Sequence, residues 1–398
     1  MRFTLPENVE YIIASLGNAT HRADIVGGSV RDMLLGKIPD DYDIATSATP
    51  EVTKSVFNHL QTVDTGIKHG TVSVIIDHNP YEITTYRVDG EYKDSRHPES
   101  VSFTAKIEED LARRDFTVNA MAYSPLYGLT DPYGGRADLT NRIIRAVGDP
   151  ELRFREDALR ILRGIRFSSS LGFEIEEKTA SAIRNAKHLL KNVSSERIYI
   201  ELKKTFMADF SYDVISRYSD VLTEVLTPLD RIILPAKDRY EKADWFIRFV
   251  SVFALGAESS VNSFDAACRF LRTETNIRTL GVKLLSSLGK YDLQSKISLN
   301  HAVKDLGIEG AVMLVKLEVL LGADETNVNR IVDLINSGVV SGVSDLSVNG
   351  NDIISLGIKG KSVGDTLNKL LNAVIDEKCP NDKTKLLGYA KGLLNNEI

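Results

Sequence analysis

The sequence predicts an N-terminal domain of the α/β or α+β class followed by an all-helical remainder, and two observations carry this prediction. Short β-rich runs alternate with helical segments as far as about residue 147, and Gly, Pro, Asp and Asn clusters separate them. From about Asp149 onward, apolar residues recur at the three- and four-residue spacing that is typical of helices.

The predicted elements follow in chain order. The β-rich runs of the N-terminal domain cover residues 23–26, 43–45, 71–76, 82–87 and 120–123. In the remainder, Leu159, Leu162 and Ile165 share one helix face, and Gly172 stands where a helix C-cap belongs. Residues 311–321 and 366–375 predict two further helices.

Composition and charge exclude several classes of protein. Of the 398 residues, 43% are hydrophobic and 26% are charged, which excludes collagen-like and largely disordered chains. Cys268 and Cys379 lack the spacing of a disulfide framework or a zinc site, so a reducing compartment is expected. No run approaches the ~20 apolar residues of a membrane span, and no secretion signal opens the chain. We therefore expect a cytoplasmic protein without a membrane partner. Its formal net charge of −6 argues against nucleic acid except at a local patch.

The first candidate site is the glycine pair in segment 27–32 (GGSVRD), which follows an apolar strand and opens a helix. Gly28 lets the backbone approach an anion closely, and the helix N-terminus offers free N–H groups. Arg31 adds a cation one turn into the helix, which suits a triphosphate. A plain strand–helix turn with a surface arginine is the alternative.

The second candidate is a pair of carboxylates, Asp41 and Asp43. We expect them on one face of a strand, because side chains two residues apart project to the same side. Two such carboxylates repel unless a cation lies between them, and oxygen ligands with a phosphate substrate are typical of Mg²⁺. With Asp40, a solvated acidic turn is the alternative, although the preceding glycine segment favours the metal. Glu82 is either a third carboxylate on a neighbouring strand or an exposed strand residue.

The third candidate is segment 113–120 (RRDFTVNA). Arg114 is able to reach a phosphate. Asp115 and Asn119, one helical turn apart, suit accepting from and donating to a ribose hydroxyl. A helix start flanked by charges is the alternative.

The fourth candidate is segment 156–166 (EDALRILRGIR). Asp157 and Arg160, three apart on a predicted helix, form an acceptor–donor edge that matches the pairing edges of cytosine and adenine and opposes those of uracil and guanine. A lone intrahelical salt bridge is the alternative. Arg163 and Arg166 continue this ladder, but each step drifts ~60° around the helix, which turns Arg166 nearly opposite Asp157. Residues 110–170 hold ten arginines and no lysine, which favours phosphate and base contacts.

In this order, the segments GGSVRD, DDYDIAT, RRDFTVNAMAY, DPYGGRADL and EDALRILRGIRF resemble the bacterial class II CCA-adding enzymes of the tRNA nucleotidyltransferase and poly(A) polymerase family. The resemblance runs from about Ile25 to Leu202 and returns near the C-terminus. It implies an α+β fold with a polymerase-β-like nucleotidyltransferase head (1–147). An all-helical neck (148–205), body (206–300) and tail (301–398) would follow the head.

The resemblance also implies roles for the candidate residues. Asp41 and Asp43 would be the catalytic ligands of Mg²⁺, while Gly28, Arg31 and Arg114 would bind the nucleotide phosphates. Asp115 and Asn119 would lie near the ribose, Asp157 and Arg160 would be the protein template for CTP and ATP, and Arg163 and Arg166 would complete the pocket. Segment 89–98 resembles the loop that such enzymes need to switch from C to A addition.

The expected function is therefore to add or repair the 3′-terminal CCA of tRNA from CTP and ATP. The expected chemistry is two-metal nucleotidyl transfer with two Mg²⁺ ions, without a nucleic-acid template and with release of pyrophosphate. The expected partners are the tRNA acceptor stem and 3′ end, with RNA contacts from the tail. An A-adding tRNA enzyme, a poly(A) polymerase and a non-catalytic RNA-binding protein are the alternatives. The oligomeric state stays open, with a homodimer among the possibilities.

Overall fold

The computed structural model describes residues 2–90 and 101–395, and its Cα positions divide the chain into two compact units, Met1–Leu226 and Thr227–Ile398. The predicted division into head, neck, body and tail stays a prediction. Most of segment 89–98 lies outside the described residues.

The described part of the first unit contains eleven strands, and seven of them form one mixed sheet. The strands are β1 (Ala23–Val26), β2 (Ile44–Thr46), β3 (Gln61–Gly66), β4 (Thr71–Ile76), β5 (Asn79–Thr85), β6 (Arg87–Asp89), β7 (Val101–Phe103), β8 (Ala122–Ser124), β9 (Gly128–Thr130), β10 (Ile143–Ile144) and β11 (Glu174–Ile175). The order in the large sheet is β3-β4-β5-β2-β1-β8-β9, while β6 pairs with β7 and β10 with β11. Within the large sheet β2 runs parallel to β5, with Ile44 opposite Ile83, and antiparallel to β1.

Helices cover and extend this sheet. In the first unit they are α1 (Glu7–Asn18), α2 (Gly28–Leu34), α3 (Pro50–Val56), α4 (Ile107–Ala112), α5 (Gly135–Asn141), α6 (Pro150–Glu156), α7 (Leu159–Leu171), α8 (Glu177–Ala186), α9 (Ser195–Met207), α10 (Ser211–Arg217) and α11 (Ser219–Leu222). Short 3₁₀ turns lie at Ile67–His69, Thr117–Asn119 and Lys187–Asn192. Helix α7 packs against α9, which brings residues about 40 positions apart in sequence to one place.

The second unit is helical throughout its described residues. Its helices are α12 (Lys237–Lys242), α13 (Trp245–Gly256), α14 (Ser260–Leu271), α15 (Thr275–Ser287), α16 (Lys296–Leu321), α17 (Thr326–Asn336), α18 (Gly350–Ile354), α19 (Lys361–Ile375) and α20 (Lys383–Asn395), with a 3₁₀ turn at Val343–Asp345. Helix α16 is interrupted at Gly307, whose φ of 76° is a left-handed conformation. No helix in residues 2–90 or 101–395 combines the length and apolar character needed to span a bilayer.

The observed elements confirm most of the predicted ones. Runs 23–26 and 71–76 are β1 and β4 residue for residue, and the other three runs overlap β2, β5 with β6, and β8. The helices predicted at 311–321 and 366–375 lie within α16 and α19. Gly172 ends α7 with a φ of 65°, as predicted for a C-cap. Strand β3 was not predicted, since its sequence QTVDTG carries little apolar pattern.

Candidate active site

A cleft of about 600 Å³ in the first unit is lined by every candidate residue of the sequence analysis except Glu82, which lines a neighbouring pocket. Its lining comprises Gly27, Gly28, Arg31, Asp41, Asp43, Arg113, Arg114, Asp115, Asn119, Asp157, Leu159, Arg160, Arg163, Arg166, Phe167 and Arg197. These residues come from the turn before α2 and α2 itself, the segment before β2, the turn and 3₁₀ helix after α4, the junction between α6 and α7, and helices α7 and α9. Seven arginines and four aspartates thus share one cavity.

The glycine pair forms the turn between β1 and α2, as its sequence predicts. Gly27 has a φ of 74°, a left-handed conformation that favours glycine, and a Cβ there would lie 2.7 Å from Nη1 of Arg114, so any side chain at this position would displace that guanidinium group. Arg31, in the first turn of α2, donates to Asp32 at 2.9 and 3.0 Å and to Oδ1 of Asn119 at 2.8 Å. The turn therefore brings two guanidinium groups to the edge of the cleft.

Asp41 and Asp43 precede strand β2, so the prediction that they lie within a strand is wrong. They line the same cleft nevertheless, because Ser29 of α2 ties down their backbone. The Ser29 hydroxyl donates to the Asp41 carbonyl at 3.1 Å and accepts from the Asp43 N–H at 3.3 Å. The small side chain after the glycine pair thus fixes the segment that carries both carboxylates.

Burial raises the pKa of Asp43, and the negative charges of Asp41 and Glu82 raise it further, while Arg114 opposes them. Strand β5, which carries Glu82, is the parallel neighbour of β2, so the condition for a third nearby carboxylate is met. Within residues 2–90 and 101–395, however, no three His, Cys, Asp or Glu side chains converge closely enough to hold an ion by themselves. The arrangement is two cleft carboxylates with a third acid nearby.

Arg114 is positioned by a buried carboxylate that the sequence analysis did not single out. Asp110, within α4 and 1% exposed, accepts from Nη2 of Arg113 at 2.8 Å and from Nη2 of Arg114 at 3.3 Å. Burial by itself raises the pKa of Asp110, but the Arg113 and Arg114 guanidinium groups outweigh it and hold that pKa below its ordinary value. Asp110 thus stays charged and anchors two cleft arginines.

Asp115 and Asn119 lie together, as predicted, although a turn and a 3₁₀ helix join them rather than a turn of α-helix. Asn119 Nδ2 is 3.4 Å from Oδ1 of Asp115. Arg163 donates from Nε and Nη2 to Oδ2 of Asp115 at 2.7 and 2.6 Å. Although burial raises the pKa of Asp115, the charge of Arg163 outweighs it and lowers that pKa. Both Asp115 and Asn119 are buried, and hydrogen bonds from arginines hold them in the lining of the cleft.

Asp157 does not lie on the helix with Arg160, so the predicted helical geometry is wrong. Asp157 ends α6 with φ −141° and ψ 103°, and α7 begins at Leu159. Its Oδ1 accepts from the Leu159 N–H at 3.0 Å, and its Oδ2 accepts from Arg197 at 2.8 Å. The carboxylate therefore acts as a cap for α7, which explains why the chain breaks there without Gly or Pro.

Arg160 points into the same cleft from the first turn of α7. It donates to Glu156 at 2.8 Å and to the Arg113 carbonyl at 2.8 Å, and Glu156 also binds Arg153. The alternative of a simple ion pair between Asp157 and Arg160 is not what the described contacts show, since each side chain has its own partner. Two independently held groups, one acceptor and one donor, face a common cavity.

Arg166 also lines the cleft, contrary to the expectation that it turns nearly opposite Asp157. That expectation counted helix rotation from Asp157, which precedes the helix. Glu201 of α9, 5% exposed, accepts from Nε of Arg166 at 2.6 Å and lies 3.9 Å from Nη1 of Arg163. Burial lowers the pKa of Arg166, and the nearby charge of Arg163 lowers it further, against the opposing effect of Glu201.

Besides the Phe167 ring in the cleft lining, four charged residues of the site escaped the sequence analysis: Asp110, Glu156, Arg197 and Glu201. Each acts by holding a candidate residue rather than by carrying a motif of its own. Arg197 and Glu201 stand four apart on α9, which places both side chains on one helix face. This four-residue spacing was the one sequence feature that could have pointed to Arg197 and Glu201. Their partners, Asp157 and Arg166, lie about 35–40 positions earlier in the sequence.

Comparisons with known proteins identify the family of this chain. Residues 23–145 match a family model described as the poly A polymerase head domain. Residues 172–220 match one described as a probable RNA and SrmB-binding site of polymerase A, and residues 260–390 match one described as tRNA nucleotidyltransferase domain 2, putative. The chain is 37% identical to the CCA-adding enzyme of Streptococcus thermophilus and 35% identical to that of Enterococcus faecalis. Each alignment covers 96% of this chain; it covers 96% of the Streptococcus thermophilus protein and 94% of the Enterococcus faecalis protein.

The solved structures give the same result. The Bacillus stearothermophilus CCA-adding enzyme in complex with CTP matches with a TM-score of 0.81 and 29% identity over 99% of both chains. The Thermotoga maritima CCA-adding enzyme complexed with tRNA shares the fold, with a TM-score of 0.70 and 22% identity over 98% of this chain and 96% of that one. These matches confirm the predicted α+β fold with a nucleotidyltransferase head followed by helices. The chain therefore belongs to the CCA-adding enzyme family of tRNA nucleotidyltransferases.

Proposed function

We propose that this protein builds or repairs the 3′-terminal CCA of tRNA, using two CTP and one ATP and releasing pyrophosphate without a nucleic-acid template. The observation that carries the proposal is the single cleft that holds both a carboxylate pair and a separate acceptor–donor edge. The carboxylate pair is what metal-dependent transfer of a nucleotide requires, and the acceptor–donor edge is what side chains require to select a base. Family members whose names state CCA addition support the same activity.

Asp41 and Asp43 are the proposed ligands of two divalent cations, which we take to be Mg²⁺. Mg²⁺ is usually held by one or two carboxylates together with substrate phosphates and water, so a two-carboxylate site fits without a third protein ligand. Desolvation is the main cause of the raised pKa of Asp43, and the negative charges of Asp41 and Glu82 add to it; a cation between the carboxylates would relieve that repulsion. When bound, the cations would supply Lewis acidity for the attacking 3′-hydroxyl and the leaving pyrophosphate.

The phosphates and ribose of the nucleotide are the proposed ligands of the surrounding side chains. Gly28, Arg31 and Arg114 surround the turn before α2, where backbone N–H groups and guanidinium forks suit phosphate oxygens. Asp115 and Asn119, held by Arg163 and Arg31, are the proposed ribose contacts. Binding and orientation of the triphosphate would then be the main contribution of these groups to rate.

Asp157 and Arg160 are the proposed protein template, with Arg163 and Arg166 completing the pocket. Cytosine and adenine both present an amino donor beside a ring-nitrogen acceptor, whereas uracil and guanine present the reverse order. A wrong base would leave the Asp157 carboxylate or the Arg160 guanidinium facing a like partner. Because Arg197 and Glu156 hold these two side chains, the edge would be pre-formed before the nucleotide enters.

The deciding experiment supplies radiolabelled CTP and ATP with tRNA trimmed to the base before CCA. We expect the unaltered chain to add C, C and A in the presence of Mg²⁺, and Asp43→Ala to reduce incorporation at least ~10³-fold, the order of loss seen when a key electrostatic group is removed. Asp40→Ala is the matched control, since Asp40 is an exposed aspartate three residues away. Equal rates for Asp43→Ala and the unaltered chain would overturn the metal site.

The substrate arms of the same experiment separate the alternatives. Addition of A alone, and only to tRNA that already ends in CC, would assign the chain to the A-adding enzymes. Long runs of A on any RNA would indicate a poly(A) polymerase. RNA binding without incorporation of either nucleotide would leave a non-catalytic RNA-binding protein.

A further inference from the structure

One aromatic ring in the cleft contacts three arginines. Phe167 of α7 has the guanidinium carbon of Arg166 3.8 Å from its ring centroid, that of Arg163 at 5.3 Å and that of Arg31 at 5.5 Å. All three distances fall within the ~6 Å range of a cation–π interaction. Arg31 belongs to α2 and the other two arginines to α7, so the ring joins cations from two helices.

The ring is itself firmly placed. Phe167 is 5% exposed and meets Phe116 edge to face, with centroids 5.8 Å apart and planes at 79°. Gly164 of α7 lets Phe116 come this close, because a Cβ at Gly164 would lie only 3.0 Å from the Phe116 ring. Contact with Phe116 and burial therefore fix the position of the Phe167 ring.

Each of these arginines also has a carboxylate partner. Arg163 binds Asp115, Arg166 binds Glu201, and Arg31 binds Asp32. Two of these carboxylates are themselves buried, and Arg163 lies close enough to lower the pKa of Arg166. Three guanidinium groups held together repel one another, so an attractive surface common to all three would favour their convergence. An aliphatic side chain of similar size would fill the space without supplying that attraction.

We propose that Phe167 is a positioning residue of the nucleotide site, whose ring face keeps Arg31, Arg163 and Arg166 converged on the cleft before a triphosphate arrives. This inference rests on the proposed nucleotidyl transfer and adds to it a group that touches neither the base nor the metal ligands. The ring acts on binding: it holds the three cations in place for an anionic nucleotide, and it leaves the carboxylates untouched.

The test alters the electrostatics of the ring while keeping its shape. Phenylalanine carrying one, two or three ring fluorines is placed at position 167 of the full chain, and CTP binding and incorporation are measured for each. Fluorines withdraw charge from the ring face, so the Kd and KM for CTP and ATP should rise stepwise along the series. Phe167→Leu should weaken CTP binding roughly tenfold, while kcat at saturating nucleotide changes little.

Phe173→Leu is the matched control. Phe173 is also buried, at 7% exposed, and has Arg142 5.6 Å from its ring centroid, but it lies outside the cleft lining. Its nucleotide KM should stay within about twofold of the unaltered chain, while its thermal stability falls as much as that of Phe167→Leu. A flat Kd along the fluorine series in a chain that adds CCA normally would overturn the role of Phe167 alone. An unaltered chain that adds no nucleotide would instead overturn the proposed function.

Discussion

The two units of the molecule bury charge very differently. Among the described residues, the unit Met1–Leu226 encloses six charged side chains: Asp24, Asp110, Asp115, Asp138, Arg160 and Glu201. In the described part of Thr227–Ile398, only Arg248 is buried to the same degree. Enclosing a charge is unfavourable unless it is paired, so a chain retains such groups where they serve something other than stability.

The partners of these charges show what they serve. Arg248 donates to the backbone carbonyls of Tyr240 and Glu241 at 3.0 and 2.8 Å, which joins helices α12 and α13. In the first unit, by contrast, Asp110, Asp115 and Glu201 each accept from an arginine that lines the cleft. Buried carboxylates beneath an arginine-lined cavity thus distinguish a functional unit from a packing unit, even where both have apolar cores.

The largest effect that would test this difference comes from Glu201→Ala. Removing this carboxylate leaves the largely buried Arg166 without its ionic partner, and breaking a buried pair in this way costs about 3–5 kcal/mol of unfolding free energy. Lys242→Ala is the matched change in the second unit, since Lys242 and Glu325 form an exposed pair whose loss costs about 0–1 kcal/mol. Urea unfolding followed separately for each unit measures both values. Equal losses would contradict the comparison.

The next effect concerns selectivity and is confined to the first unit. Asp157→Ala and Arg160→Ala should each reduce the preference for CTP over UTP by about 10–100-fold, or about 1.4–2.8 kcal/mol, because one half of the proposed template edge is lost. Arg155→Ala serves as the control, since Arg155 lies on α6 with a 70% exposed side chain paired to Glu151. Competition assays with mixed nucleotides on trimmed tRNA give the ratios. If both variants stayed fully selective while still binding RNA, Asp157 and Arg160 would not be the residues that select the base.

How far the sequence predicted this site depends on the range of the contacts. Residues close in sequence, such as Gly28 and Arg31 or Asp115 and Asn119, were expected together and lie together in the cleft. Asp157 and Arg160 were also expected together, but on a helix that in fact begins after Asp157. Local propensity favours a continuous helix through EDALRIL, and the break depends on the Asp157 cap and on Arg197, 40 positions away.

The same reasoning explains what was missed in the fold. Strand β3 is paired along β4 despite its polar sequence, so tertiary pairing decided its conformation. Asp110 and Glu201 carry no motif, and only the approach of Arg114 and Arg166 gives them a role. A single sequence contains the residue types of the site, whereas the groups that hold those residues become visible only when distant segments meet.

The smallest effect is a pH dependence that separates the two units. The pKa of Asp110 is depressed in the folded chain because Arg113 and Arg114 outweigh the effect of burial. A depressed pKa means that this carboxylate stabilises the fold above its ordinary pKa of about 3.9, and that the stabilisation is lost as pH falls through the lower folded value. The difference in unfolding free energy between the unaltered chain and Asp110→Asn should therefore shrink from about pH 5 to about pH 2.

Asp265→Asn, which removes the partially exposed partner of Arg269 in the second unit, should give a small difference at every pH. A difference for Asp110→Asn that stays constant over this range would show that the charge of Asp110 does not hold the two arginines, and the contrast between the units would then rest on packing alone.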